Sequence, residues 1–398
     1  MAGQEQGAPG SPYDAIVVGA GIQGSFTALH LARRGQRTLL LEQFRLPHTQ
    51  GSSHGESRII RTAYPQDYYT AMMAEAFPLW AQLEAAAGTR LYRPAPLLVL
   101  GRPEDPQFRG YRSTMERHHV PGEVLCPEAL AQRFPGLCPH GGEMAVCDRT
   151  AGVLHANRAL RAVQDQFRRL RGTLRDGEEV LRIQPGAVVT VATGRGEYRA
   201  RRLVLAAGPW TNRLLAPLGR TLPLQPLRIS VCYWRAKDPG ARSLVEQLPA
   251  FIGIHLGGGK RDIFGLPAGE HPGLVKICYH HGSRVDPDDP GQLDRSATPV
   301  PDIPILQDFL RKYLPGLDPE PALQECCLYT NTPDGDFVLD RHPRFQNIAI
   351  GAGFSGHGFK LAPVVGKILS ELSLGEEPSY NLAPFRISRF PTSPKASL

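Results

Sequence analysis

No stretch of this 398-residue chain approaches the roughly 20 consecutive apolar residues that a membrane-spanning helix needs. A transmembrane helix is excluded on length, and no membrane partner is expected. Cysteine is scarce and irregularly spaced: there are seven, with no tandem Cys-x-x-Cys elements. That pattern argues against a disulfide framework and a structural zinc site, so no metal is expected and a reducing compartment fits. Residues 1–12 are rich in Gly, Pro, Gln and Ser and lack an apolar core, which reads as a disordered extension and not as a signal peptide. No internal repeat is visible. Basic residues outnumber acidic ones, 45 to 38, for a formal charge of +7. Arg-rich stretches such as Arg168-Arg169-Leu170-Arg171 carry no interleaved aromatics, so they read as solvated surface and not as a nucleic-acid site. A basic interior can still attract an acidic substrate.

What is present is a glycine-rich turn in full context. Gly19-Ala20-Gly21-Ile22-Gln23-Gly24 joins a buried strand, Ala15-Ile16-Val17-Val18, to a helix whose apolar positions Ile22, Phe26, Leu29 and Ala32 recur near the 3.6 period. A second strand, Thr38-Leu39-Leu40-Leu41, ends at Glu42. In this pattern the first glycine makes the tight turn, the second lets the backbone approach a pyrophosphate, and the third lets helix and strand pack closely. The helix start offers free N–H groups and a positive dipole end to the phosphates. Glu42 accepts hydrogen bonds from a ribose 2′-hydroxyl and repels a 2′-phosphate, which favours FAD or NAD over NADP.

Two later strand-like segments also end in glycine: Leu203-Val204-Leu205-Ala206-Ala207-Gly208, and Ile348-Ala349-Ile350-Gly351-Ala352-Gly353, the latter followed by a helix including Leu361 to Leu372. Between them, Leu154 to Leu170 reads as a helix, and Val180-Leu181-Arg182-Ile183 and Val188-Val189-Thr190-Val191 read as strands. The expected class is α/β (α+β): a Rossmann-like dinucleotide domain assembled from residues 13–90, 150–225 and 322–390. Residues 91–149 and 226–321, with strands such as Leu97-Leu98-Val99-Leu100 and Ile229-Ser230-Val231-Cys232-Tyr233-Trp234, are expected to form a sheet-containing substrate domain. Asp286-Pro287-Asp288-Asp289-Pro290-Gly291 reads as a loop, and residues 391–398 as a tail.

Gly353-Phe354-Ser355-Gly356-His357-Gly358-Phe359-Lys360 separates flavin from nicotinamide. A second glycine turn at a helix start can aim N–H groups at the flavin C2 carbonyl, where negative charge collects on reduction. Nicotinamide needs no such device.

With Ser52-Ser53-His54-Gly55-Glu56-Ser57-Arg58-Ile59-Ile60-Arg61 and Cys327-Leu328-Tyr329-Thr330, these motifs resemble the monomeric sarcosine oxidase family of D-amino-acid-oxidase-like flavoproteins, from about Tyr13 to the C-terminus, and most of all its peroxisomal sarcosine/L-pipecolate oxidase branch. The resemblance implies FAD attached covalently through Cys327, with Cys326 as its neighbour. It implies cofactor contacts at Gly19, Gly21, Ile22, Gln23, Gly24, Glu42, Gln43, Ser52, Val180, Gly356, His357, Gly358 and Lys360. Arg61 and Lys360 match the pair that holds the substrate carboxylate, a bidentate guanidinium plus a point charge. Arg58 and His54 match flavin-side residues, Lys276 the oxygen-activating lysine, and His280 and Tyr329 active-site side chains. Phe264 stands where a tyrosine is expected in relatives.

The implied reaction oxidises a secondary amino acid, sarcosine or L-pipecolate, to an imine, with O2 reduced to H2O2. The amine must be neutral to release its electrons, and no obligatory carboxylate base is visible near the motifs. A dehydrogenase using a non-oxygen acceptor would share both glycine turns. A non-catalytic FAD-binding redox sensor would need only the first and would not explain Arg61, Lys360 and Lys276 together. The resemblance further implies a monomer. The ending Lys395-Ala396-Ser397-Leu398 is similar to a Ser-Lys-Leu peroxisomal signal read by an import receptor, with Ser397 where a basic residue is usual.

Overall fold

The computed structural model describes residues 12–256, 261–293 and 302–391. The expected extension up to residue 11 and the tail beyond residue 391 lie outside them. The described residues of Met1–Ser53, Leu160–Gln225 and Thr330–Leu398 form one compact unit, and those of His54–Ala159 and Pro226–Tyr329 form another.

The first unit is built on a sheet whose central strands are all parallel. Tyr13–Val18 pairs with Thr38–Leu41 on one side and with Gly196–Leu205 on the other. Thr173–Arg175 extends the first side and Ile348–Ala352 the second. Val338–Arg341 closes that edge antiparallel, and Val180–Gln184 and Val189–Thr193 add an antiparallel pair on the start of Gly196–Leu205. Thr38–Leu41 and Ile348–Ala352 are buried at every position, the pattern of strands covered on both faces. The helices Ile22–Arg33 and Ala362–Leu374 pack on one another. Gly366 permits this, because a Cβ there would stand 2.7 Å from the Phe26 backbone. His30 Nε2 lies 2.9 Å from the carbonyl of Pro363 across the same contact.

The second unit holds a nine-stranded sheet. Its strands run Ser283–Arg284, Gln225–Arg235, Leu274–Tyr279, Ile263–Pro267, Ala250–Gly253, Leu97–Gly101, Met144–Asp148 and Gly122–Leu125, with Leu323–Asn331 on Gln225–Arg235. The helix Ile303–Tyr313 brings Phe309 onto Phe251, ring centroids 5.9 Å apart. A separate three-stranded sheet joins Ser57–Ile60, Gly152–His155 and Tyr92–Pro94. Among the described residues no helix is long and apolar enough to cross a membrane.

The units cut the chain differently from the sequence boundaries. Residues 54–90, 150–159 and 322–329 belong to the second unit, because Ser57–Ile60 and Tyr92–Pro94 both pair with Gly152–His155. That strand also occupies Leu154 and His155, so the helix expected from Leu154 begins at Ala156. The helix expected from Leu361 starts at Ala362, after the single 3-10 turn Phe359–Leu361.

Candidate active site

In the first unit, the two glycine turns and Glu42 leave the C-terminal edge of neighbouring parallel strands, where open α/β sheets bind ligands. Gly19 has a φ of +101°, and a Cβ there would lie 2.4 Å from the carbonyl oxygen of Ala206. At Gly24 a Cβ would fall 1.9 Å from Gly19 O. Both positions exclude any side chain. Gly21 is the N-cap of Ile22–Arg33, and no side chain caps the helix from that position. The Ile22 N–H donates instead to Ser53 Oγ at 3.0 Å. Buried Glu42 accepts from Ala20 N–H at 2.9 Å and Phe44 N–H at 3.1 Å, which leaves part of its acceptor capacity for a hydroxyl.

The second glycine turn reaches the same helix. Gln23 Nε2 donates to Gly358 O at 2.9 Å, while Gln23 Oε1 is buried with no hydrogen-bond partner among the described residues. Gly353, Ser355 and Gly356 all have positive φ. Ser355 N–H donates to Thr330 O and His357 N–H to Phe354 O. The Gly356 and Gly358 amides take no part in these bonds. Buried Lys360 donates from Nζ to His357 O at 3.0 Å.

The second unit concentrates buried cations. Arg58 donates to the carbonyls of Ser57 and His54 and approaches Cys327 Sγ at 3.8 Å. His54 Nε2 lies 3.1 Å from Cys326 O. Cys327 packs in an apolar cluster with Val231, Tyr233 and Cys278. Lys276 is only 5% exposed, and among the described residues its Nζ makes a single long bond, 3.4 Å to Ser57 O. Burial, and then the Arg58 charge, hold its pKa below the ordinary lysine value. His280 stands edge-on to Tyr329 at 5.2 Å and to Phe264 at 5.9 Å.

Arg61, 8% exposed, donates to Ala63 O and to Tyr111 Oη, and its guanidinium lies 4.2 Å above the Tyr64 ring. Among the described residues no carboxylate is hydrogen-bonded to it. Buried Asp148 braces the adjoining backbone, accepting the N–H groups of Thr62 and Ala63 at 2.8 Å each. Against the cost of burial, Tyr111, Tyr64 and the charge of Asp148 hold the Arg61 pKa above its ordinary value, so the group stays a cation. The arrangement is poised for an anionic ligand.

The structure thus brings together Gly19, Gly21, Gln23, Gly24, Glu42 and Gly358 in one unit, and His54, Arg58, Lys276 and Cys327 in the other. Gln43 and Ser52 are half-buried and adjoin in sequence Glu42 and Ser53, which contact the first glycine turn. Val180 faces the core of the first unit, two residues beyond Glu178, whose N–H donates to Glu42 O. Sequence reasoning missed Ser53, which answers the helix start, and Tyr64, Tyr111 and Asp148, which hold Arg61. The roles of Ser53, Tyr111 and Asp148 come from contacts distant in sequence, and none of the four leaves a motif. Among the described residues no cluster of His, Cys, Asp and Glu is placed to hold a metal.

The FAD dependent oxidoreductase family matches residues 14–372. The chain belongs to that family. It is 55% identical over 386 residues to human peroxisomal sarcosine oxidase, across 97% of this chain and 98% of that one. Monomeric sarcosine oxidase of an Arthrobacter species is 34% identical, over 95% of this chain and 96% of its own. Among solved structures, NikD, an unusual amino acid oxidase essential for nikkomycin biosynthesis, superposes with a TM-score of 0.79 at 27% identity, covering 94% of this chain and 97% of that one. The cofactor of the family is FAD, and the first unit fits it: Gly21 puts no side chain over the helix start, two glycines admit close backbone approach, Glu42 retains acceptor capacity, and the Gln23 oxygen awaits a donor.

Proposed function

We propose that this protein is an FAD-dependent oxidase of secondary amino acids, with sarcosine and L-pipecolate as substrates, O2 as electron acceptor and the peroxisome as its compartment, acting as a monomer. The observation that carries the reading is Arg61, a buried guanidinium braced on three sides with no carboxylate hydrogen-bonded to it among the described residues, in a chain that is 55% identical to human peroxisomal sarcosine oxidase.

When bound, FAD supplies the two-electron acceptor for oxidation of the substrate C–N bond and the donor for reduction of O2. The chain's own residues do the remainder. The Gly19–Gly24 turn and Glu42 hold the adenosine end and the pyrophosphate, and the Gly353–Lys360 turn takes the flavin end. Cys327 is assigned the thioether to the 8α-methyl carbon. Its sulfur faces Arg58, whereas Cys326, the preceding residue of the Leu323–Asn331 strand, points to the opposite face. Arg61 and Lys360 are assigned to the substrate carboxylate. His280, Tyr329 and Phe264 form an aromatic group suited to an apolar N-alkyl or cyclic amine, and Phe264 offers no hydroxyl. Positive charge around the site favours the neutral amine over the ammonium, the form able to give up electrons. Lys276 supplies a fixed cation where charge develops on oxygen.

Peroxide production is the test. Sarcosine and L-pipecolate should yield H2O2, and the same amines with the carboxylate esterified should not. Equal turnover of the esters would remove Arg61 and Lys360 from substrate binding. A fusion with a free C-terminus should collect in peroxisomal puncta that disperse when Leu398 is deleted; a diffuse signal from the intact chain would contradict the compartment.

A further inference from the structure

Lys276 leans on two groups, and one carboxylate grips both. Lys276 and Tyr233 are direct partners in the antiparallel register of Leu274–Tyr279 with Gln225–Arg235, so their side chains share a face of the sheet. Lys276 Nζ lies 5.8 Å from the Tyr233 ring centroid and donates to Ser57 O. Ser57 Oγ donates to Glu270 Oε1 at 2.7 Å, and Tyr233 Oη donates to the same oxygen at 3.3 Å. Glu270 sits in the turn between Ile263–Pro267 and Leu274–Tyr279, and that turn is closed by Ala268 N–H to Leu274 O and Leu274 N–H to His271 O. His271 stands edge-on to the Tyr233 ring at 4.7 Å. The short turn therefore carries a carboxylate back onto the two supports of the lysine that lies two residues into the next strand.

The geometry points to Glu270 as the residue that positions Lys276 and supplies the counter-charge keeping it cationic for the reaction with oxygen, a role that rests on the reading of Lys276 given above. The groups around the ammonium come from five places: Arg58 on Ser57–Ile60, Cys278 on its own strand, Cys327 on Leu323–Asn331, Tyr233 on Gln225–Arg235, and Glu270 in the turn. Arg58 works against the charge, and Cys278, Glu270 and Cys327 work in its favour. The buried Cys278 thiol is pushed up to about 11. Glu270 is the one carboxylate among the groups that favour the ammonium against burial and Arg58. Glu325 Oε2 lies at the same distance, 3.3 Å, from Tyr233 Oη and shares its single proton with Glu270, but has no bond to Ser57, so it touches only one of the two supports.

Glu270→Gln keeps an oxygen for Ser57 and Tyr233 and removes the charge. The sign follows from the loss of a group that favours the ammonium: the cation is given up at lower pH. The holoenzyme's flavin reoxidation rate, measured separately from reduction, should fall on the alkaline side about one pH unit earlier than in the wild type, the scale for one nearby opposite charge. Anaerobic reduction by substrate should keep its pH profile. Glu325→Gln should leave the alkaline limb in place.

An independent readout avoids turnover. The chain has seven lysines, and the Lys276 Cε NMR signal, assigned by its loss in Lys276→Met, should titrate at lower pH in Glu270→Gln. An unmoved Lys276 titration, or a shift as large in Glu325→Gln, overturns the inference. Should Lys276→Met reoxidise at the wild-type rate, the oxygen role of Lys276 falls, while the NMR titration still decides whether Glu270 holds its charge.

Discussion

Replacing Arg61 with methionine should separate binding from stability, with effects of opposite character. Methionine keeps an unbranched stem over Tyr64 and removes the charge. In the free protein the guanidinium is buried, bonded among the described residues to Ala63 O and Tyr111 Oη and stacked on Tyr64. Losing two hydrogen bonds from a charged donor costs roughly 3–6 kcal/mol and losing the cation–π contact about 1–2. Relief of the desolvation of a buried charge returns several kcal/mol. The opposing contributions are of similar size, so the unfolding free energy should change by no more than about 3 kcal/mol. Substrate binding has no such offset, because the carboxylate loses its buried partner, a loss of about 3–5 kcal/mol, or roughly 10²–10⁴ in Kd. Saturation of the anaerobic flavin-reduction rate gives Kd, and urea unfolding gives stability. A variant that binds sarcosine within about threefold of the wild type but unfolds far more easily would show that Arg61 holds the fold and not the substrate.

Cys327→Ala should release the yellow colour on acid precipitation, whereas Cys326→Ala should retain it; the reverse pattern would misplace the tether by one residue. Lys276→Met should slow reoxidation by ~10²–10³, the ~3–4 kcal/mol scale of one preorganised electrostatic contact, and leave reduction much less affected. In the wild type, reoxidation should also decline as pH rises through a Lys276 pKa that burial and Arg58 hold below 10.5, which a buffer series on the two half-reactions can resolve. His30 is lowered from 6.5 to about 4 by burial and then by Arg33. Between those values the unfolded chain takes up a proton that the folded protein refuses, so stability falls on acidification by up to about 3 kcal/mol. Urea midpoints at pH 7 and pH 5 should show a smaller acid loss for His30→Gln than for the wild type.

The first glycine turn is legible because its demands are local. Gly19 needs a positive φ, Gly24 needs contact with the strand just before it, and the flanking apolar runs declare strand and helix. The same holds for Gly353-Phe354-Ser355-Gly356. The helix Asp67–Ala87 is harder to read, since Pro78 lies inside it and a proline ordinarily breaks such a pattern. The division of the chain is set by pairing: Gly152–His155 captures Ser57–Ile60 and Tyr92–Pro94, and no composition shift marks that. Arg61 follows the end of Ser57–Ile60 and Lys276 lies on an apolar strand, and their types alone say little. Register opposite Tyr233, and enclosure by Tyr64 and Tyr111, give them meaning. The Tyr233 and Tyr111 contacts join segments far apart in the chain and become visible only once the second unit is assembled.

The most direct test of the central claim is one anaerobic mixing experiment followed by air. Sarcosine or L-pipecolate should bleach the visible absorbance of the bound flavin, and admission of O2 should restore it at a rate that supports turnover, with stoichiometric H2O2. Failure of both amino acids to bleach the flavin would contradict the substrate assignment, and flavin that bleaches but stays reduced in air would make the protein a dehydrogenase and not an oxidase.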